Sequence, residues 1–155
     1  MPIARVVQDP IDPAAVLASV GSDEDGASLL FTGVVRNHNQ GRTVGGVRYD
    51  AYEEMAARVL SQIVEEAVQL VGTDRIVAVH RVGELTVGEV SVAIAVSSPH
   101  RAEAFEASRF IIEEIKKRLP VWKKERYEGD VEEWVEGVTP VAVPARQVDY
   151  FPRNS

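Results

Sequence analysis

Lysine occurs at only four positions in this chain, Lys116, Lys117, Lys123 and Lys124, all inside the ten-residue stretch KKRLPVWKKE. Every other basic residue is an arginine, and the arginines are scattered. Either side chain can hold a salt bridge. Lysine alone carries an amine whose pKa falls on burial or beside other cations, so that it can pass on a proton or attack an electrophile. Lys116, Lys117 and Arg118 have a plainer account, because they fall in the last turn of a predicted helix, where the dipole favours cations. That account does not reach Lys123 and Lys124, which follow Trp122 on a predicted strand, nor does it explain why lysine replaces arginine here. Catalysis by at least one lysine is the expectation.

Two further polar clusters could bind an anion. In SSPHR (97–101), Ser98 is placed to cap a helix and Pro99 to open it. His100 and Arg101 then occupy the first turn, at the positive end of the dipole. Cations cost roughly 0.3–1 kcal/mol each there, unless an external anion sits between them and the free amides. The loop RNHNQGR (36–42) presents Arg36, His38 and Arg42, and read alone it is a hairpin connection somewhat longer than usual. His80, in VAVHRV, reads as a structural residue, and the acidic runs at 23–25, 65–66, 113–114 and 132–133 read as solvated faces.

What the chain lacks narrows the chemistry. With no cysteine, it has no disulfide, thiolate metal site or cysteine nucleophile. Only His38, His80 and His100 could offer imidazole, and no two share helical ligand spacing. No metal site or cofactor is expected. The net charge is −7, which argues against nucleic acid as a partner. Residues 116–126 nevertheless hold six Lys/Arg against one Glu, a local +5 that leaves −12 for the remainder. A basic island on an acidic body suits a compact anion. No apolar run approaches the ~20 residues that span a membrane, and MPIARVVQDP has no signal-peptide pattern. The cytoplasm is the expected location.

The elements that must position these groups are legible in outline. ASLLFTGVVR (27–36) and VGGVRYDAY (44–52) predict strands flanking the polar loop. Apolar residues from Met55 to Val71 recur at helical spacing, and Gly72 closes that helix. RIVAVHRVG (75–83) and EVSVAIAVSS (89–98) predict strands joined through GELTVG. A long amphipathic helix spans Pro99 to Leu119, with Phe105, Ile111, Ile112, Ile115 and Leu119 predicted inward and Pro120 as its stop. VWKKERYE and VEEWVEG predict two short strands, DPAAVLASV a short helix, and residues 138–155 an irregular tail. The order ββαββαββ favours a single α+β domain over 1–155, with a mostly antiparallel sheet and two main helices.

Taken together, FTGVVRNHNQG, YDAYEEMA, HRVGELTVGEVSVAIAVSSPHRAEAFEA and IKKRLPVWKKE resemble the large, catalytic subunit of molybdopterin synthase across residues 24 to 137. Val121 stands where that family more often has Ile or Phe. The resemblance implies an α/β-hammerhead-type fold and a homodimer with composite active sites. It also implies a small ubiquitin-like sulfur-carrier partner ending in a Gly-Gly thiocarboxylate. The implied reaction moves two sulfurs onto cyclic pyranopterin monophosphate to form the dithiolene of molybdopterin. Lys116 and Lys123 match the family's catalytic lysines, and Arg36, His100 and Arg101 its substrate-anion residues; Lys117 and Lys124 are grouped with the latter. Lys116 is given the acid/base or transient covalent role and Lys123 the electrostatic one, although the residues allow either order. A chain without cysteine cannot carry a persulfide, so sulfur must arrive already activated on another molecule. The competing expectation is a non-catalytic module that binds a phosphorylated metabolite or an acidic peptide tail.

Overall fold

The computed structural model describes residues 2–127 and 131–135. The elements run β1 (Ile3–Val7), α1 (Pro13–Ala18), β2 (Ala27–Val34), β3 (His38–Asn39), β4 (Arg42–Ala51), α2 (Glu53–Val71), β5 (Ile76–Arg81), β6 (Gly83–Thr86), β7 (Val90–Ser98), α3 (Arg101–Arg118), β8 (Val121–Tyr127) and β9 (Val131–Val135). This is the expected α+β class with mostly antiparallel pairing and two main helices. The predicted element order omits three strands, β1, β3 and β6. The tail from 138 lies outside the described residues.

One sheet has the order β1-β5-β7-β2, with β1 parallel to β5 and the other pairs antiparallel. β7 is its spine: residues 91–98 are all buried, which requires cover on both faces of the strand, and α1 as well as α3 packs against it. α2 and α3 cover one face. Leu60, Ile63 and Ala67 of α2 interlock with Phe110, Ile111 and Ile115 of α3 and with Ile94 and Val96 of β7. α2 starts with Glu53 and Glu54 at the positive end of its dipole and stops at Gly72. That glycine takes φ 85° and returns its N–H to the Val68 carbonyl at 2.8 Å, a conformation that disfavours any side chain.

The second sheet is built on β4, which pairs with β3, β6 and β8, while β9 extends β8. Its small core is Val35, Val44, Val47, Leu85 and Tyr127. The segment GELTVG, predicted as a turn, thus contains the strand β6, and NHNQGRT contains β3.

Two details of α3 correct the sequence reading. The helix begins at Arg101 with His100 as its N-cap, and no side chain caps it. The Ser98 hydroxyl instead donates to the His100 carbonyl, and β7 runs on through Ser98, so Ser98 and Pro99 belong to the strand end and the bend. Phe105, predicted inward, is 60% exposed.

Candidate active site

α3 carries Lys116, Lys117 and Arg118 in its last turn. Proline disfavours helical backbone in the residue before it, and Leu119 accordingly turns extended, at φ −69° and ψ 122°. Leu119 and Pro120 are both buried, which pins the reversal and starts β8 at Val121. The chain therefore doubles back, and Lys123 returns alongside Lys116. Alternation along β8 sends Lys123 and Glu125 to one face of the sheet and Trp122 and Lys124 to the other.

A cleft of about 220 Å³ results, with Arg36, His38, Tyr49, Lys116, Lys123 and Glu125 among its lining residues. Glu125 is 3% exposed. Its carboxylate accepts two bonds from Asn39 Nδ2, at 3.1 and 3.2 Å, and lies 3.3 Å from Lys123 Nζ. Arg36 Nη2 donates to Asn39 Oδ1 at 3.5 Å, so the 36–42 loop is tied to the lysine strand through one amide side chain. Burial alone would raise the Glu125 pKa. Hydrogen bonds from Tyr127 and Asn39 and the Lys123 ammonium outweigh it and hold the carboxyl below its ordinary value. Glu125 is therefore a fixed anion, and Lys123 has a fixed counter-ion.

Lys116 is placed differently. Among the described residues it has no ion-pair partner, whereas the other three lysines each have one. The residue is exposed overall, yet it lines the cleft. Desolvation there, followed by the charges of Lys123 and Arg36, pushes its pKa below the ordinary lysine value. One paired and one unpaired amine thus share a single cleft. The arrangement eases loss of a proton at Lys116 and ties Lys123 to a carboxylate, the division of labour a proton transfer or nucleophilic attack requires.

The small number of lysines makes this measurable, because four Nζ resonances can be followed together by NMR. The Lys116 amine should titrate below 10.5, the ordinary lysine value, and Lys123→Gln should move it upward by removing a neighbouring cation. A Lys116 titration at or above that value in the wild type would contradict the assignment.

The remaining candidates lie elsewhere. Lys117 Nζ is 3.6 Å from Glu114 on its own helix. Lys124 Nζ is 3.2 Å from Glu132 and 5.0 Å from the centre of the Trp134 ring, on the face of β8 away from the cleft. His100 and Arg101 are at the opposite end of α3. Between the two helix ends runs an apolar groove of about 580 Å³, lined by Leu29, Phe31, Phe105, Arg109 and Ile112 among others. Phe31 and Ile112 also line the lysine cleft, so groove and cleft are continuous. Sequence reasoning missed Glu125, counting it only in a local charge sum. Its two-residue offset from Lys123 on a predicted strand was the available signal.

Comparison with known proteins gives the chain its relatives. The family model described as MoaE protein matches residues 6–118. Molybdopterin synthase catalytic subunit 1 of Mycobacterium tuberculosis is 40% identical over 134 residues, covering 86% of this chain and 90% of that protein. The crystal structure of molybdopterin synthase from Staphylococcus aureus superposes with a TM-score of 0.81 at 36% identity, covering 86% of this chain and 96% of that one. A chain from the complex of subunits 1 and 2 of molybdopterin-converting factor of Helicobacter pylori shares the fold, with a TM-score of 0.66 at 21% identity over 85% of this chain and 89% of that one. A sulfur-transferring role in molybdenum cofactor biosynthesis accompanies this kinship, and the chain belongs to the MoaE family of molybdopterin synthase catalytic subunits.

Proposed function

We propose that the cleft between the end of α3 and β8 is where sulfur is transferred. Lys116 serves there as the acid/base or transiently covalent amine, and Lys123 and Arg36 as the electrostatic partners of an anionic substrate. The observation that carries this reading is the pairing asymmetry: Lys123 is paired with buried Glu125, whereas Lys116 faces two cations without a counter-ion among the described residues. An unpaired, partly desolvated amine serves chemistry better than it serves stability.

The sulfur donor in this proposal is a small carrier with an extended Gly-Gly tail and a terminal thiocarboxylate, and the acceptor is cyclic pyranopterin monophosphate. The Helicobacter pylori relative, solved as a complex of subunits 1 and 2, supports a small-subunit partner. The absence of cysteine from this chain requires that sulfur arrive on another molecule. In this proposal the tail must end at the lysines for its thiocarboxylate to meet them, and residues added beyond Gly-Gly would carry an uncharged peptide bond to that point instead of the anion. A carrier extended by several C-terminal residues should therefore bind at least tenfold more weakly, and binding of the native carrier should weaken with salt, because its anionic end meets cations. Equal affinity for the extended and native carriers in a calorimetric titration would count against the cleft.

The groove along α3 supports a second copy of the chain as a further partner. Exposed Phe105 beside Leu29, Phe31 and Ile112 forms an apolar strip that leads directly into the cleft. An antiparallel α3 from a second copy, laid along that strip, would carry its own His100 and Arg101 to the lysines. Lys117 and Lys124, paired outside the cleft, have no part in the proposed site. The direct test is to mix the protein with thiocarboxylated carrier and pterin precursor and to look for the dithiolene product by mass spectrometry. Binding without product would favour the non-catalytic module.

A further inference from the structure

Tyr49 has no part in the chemistry described so far, yet it lines the lysine cleft. It stands on β4 directly across from Lys123 of β8, so the two side chains leave the sheet on one face as neighbours roughly 5 Å apart at Cβ. Behind it lies the other sheet. The Tyr49 ring meets the His80 imidazole of β5 edge-on, with centroids 5.3 Å apart and planes at 81°. This contact joins the two sheets immediately behind the lysines.

His80 is built as a rigid support. It is 5% exposed, and its Nδ1 lies 2.9 Å from the Arg81 carbonyl oxygen. A carbonyl only accepts, so Nδ1 carries the hydrogen and the tautomer is set. Burial pushes the His80 pKa down to about 4, with a lesser contribution from the charge of Lys116. The imidazole is therefore neutral at physiological pH and holds Tyr49 without adding charge to the cleft.

The phenol is likewise prepared. Desolvation raises the Tyr49 pKa, and the Glu125 carboxylate adds to this against the opposing contact with Ser91. Tyr49 therefore keeps its proton. The Ser91 hydroxyl donates to the Gly33 carbonyl at 3.2 Å, which leaves its oxygen to accept from the phenol. Tyr49 thus carries a neutral O–H that Ser91 holds and that an anion, as the stronger acceptor, can draw away, in a cleft whose other donors toward an anion are mostly cations. Another cation in its place would add like-charge repulsion to an amine that already feels Lys123 and Arg36. A phenol supplies a directional hydrogen bond without that cost.

We propose that Tyr49 is a substrate-contacting residue, its phenol donating a hydrogen bond to the substrate beside Lys123, with His80 as the positioning residue that holds it in place. The proposal rests on the reading of the lysine cleft as the transfer site.

Tyr49→Phe is the deciding variant, since it keeps the ring and its edge contact with His80 and deletes only the hydroxyl. It should lower kcat/KM for sulfur transfer by roughly 10- to 100-fold, the range for loss of one hydrogen-bond donor to a reacting group, with thermal unfolding unchanged. His80→Gln should lower the same ratio, and in the Tyr49→Phe background it should cost little more, because a residue acting through the phenol has nothing left to position. Lys116→Ala, assayed alongside, separates the two ideas. If Lys116→Ala is inactive while Tyr49→Phe stays within twofold of wild type in both kcat and KM, the Tyr49 proposal fails alone. If both variants keep wild-type turnover, the reading of the cleft fails and takes the proposal with it. Additive losses from His80→Gln and Tyr49→Phe would remove His80 from the positioning role.

Discussion

Lys116→Ala should reduce sulfur transfer by about 10²- to 10⁴-fold, the usual worth of a positioned acid/base group, while leaving the fold intact. The second half of that expectation follows from the structure. Lys116 is an exposed residue with no ion pair among the described residues, so its removal leaves neither a cavity nor an orphaned charge. Substitutions of that kind usually change stability by no more than about 0.5 kcal/mol. Lys123→Ala differs in kind. It should also be strongly impaired, but it strips buried Glu125 of its ammonium, and a small drop in melting temperature should accompany the loss. The discriminating variant is Lys116→Arg. Arginine keeps the positive charge and the reach but holds its proton at any pH the protein survives. If Lys116 gives up a proton or attacks through nitrogen, Lys116→Arg should be nearly as inactive as Lys116→Ala. If Lys116 only supplies charge, Lys116→Arg should retain most activity. Single-turnover assays with saturating thiocarboxylated carrier would separate these outcomes from changes in carrier binding. Wild-type turnover in Lys116→Arg would reduce the basic island to simple electrostatics.

How much of this was legible in the sequence depended on whether the determining interaction was local. α2 was readable because its apolar period, its acidic first turn and Gly72 all agree. The stop at Pro120 was readable for the same reason, since a proline acts on the residue beside it. β1 and β6 were not, because each is short and owes its existence to a partner distant in sequence, as Ile3–Val7 does to β5; β3 pairs with its neighbour β4 but is only two residues long, inside a stretch of turn residues. Phe105 shows a different failure. α3 has apolar residues on two sides, one set facing the core through Phe110, Ile111 and Ile115, the other facing the groove through Phe105 and Ile112. Periodicity registers that a residue is apolar, and it cannot tell a core from a surface awaiting a partner. The lysines were conspicuous by type. Their convergence was not, because it depends on the chain reversing at Leu119 and Pro120 so that a helix end and a strand meet. Glu125 stayed hidden because its burial depends on Asn39, which reaches it across 86 residues of sequence.

Mixing two inactive chains should restore activity. His100 caps one end of α3, and Lys116 sits in its last turn. At 1.5 Å per residue their backbones are separated by about 24 Å, more than extended side chains and a phosphate-sized anion can bridge. If His100 and Arg101 bind the same substrate that Lys116 acts on, they must reach it from another copy of the chain. The surface between the two helix ends is suited to this, since the apolar groove beside α3 merges with the lysine cleft at Phe31 and Ile112. A two-fold axis crossing that groove would set two α3 helices antiparallel, each N-terminal end beside the other's lysines, and would create two equivalent sites. In such a dimer, Arg101→Ala and Lys116→Ala each destroy both sites when present in both chains. In a mixed dimer the two lesions fall in the same site, and the other site is wild type throughout. Random exchange of equal amounts makes half of all dimers mixed, each with one intact site of two, so activity should recover to about a quarter of wild type. The exchange itself can be followed by mass-tagging one chain. Verified exchange with no return of activity would mean that each site draws on a single chain, and that the cations at the start of α3 serve some other anion.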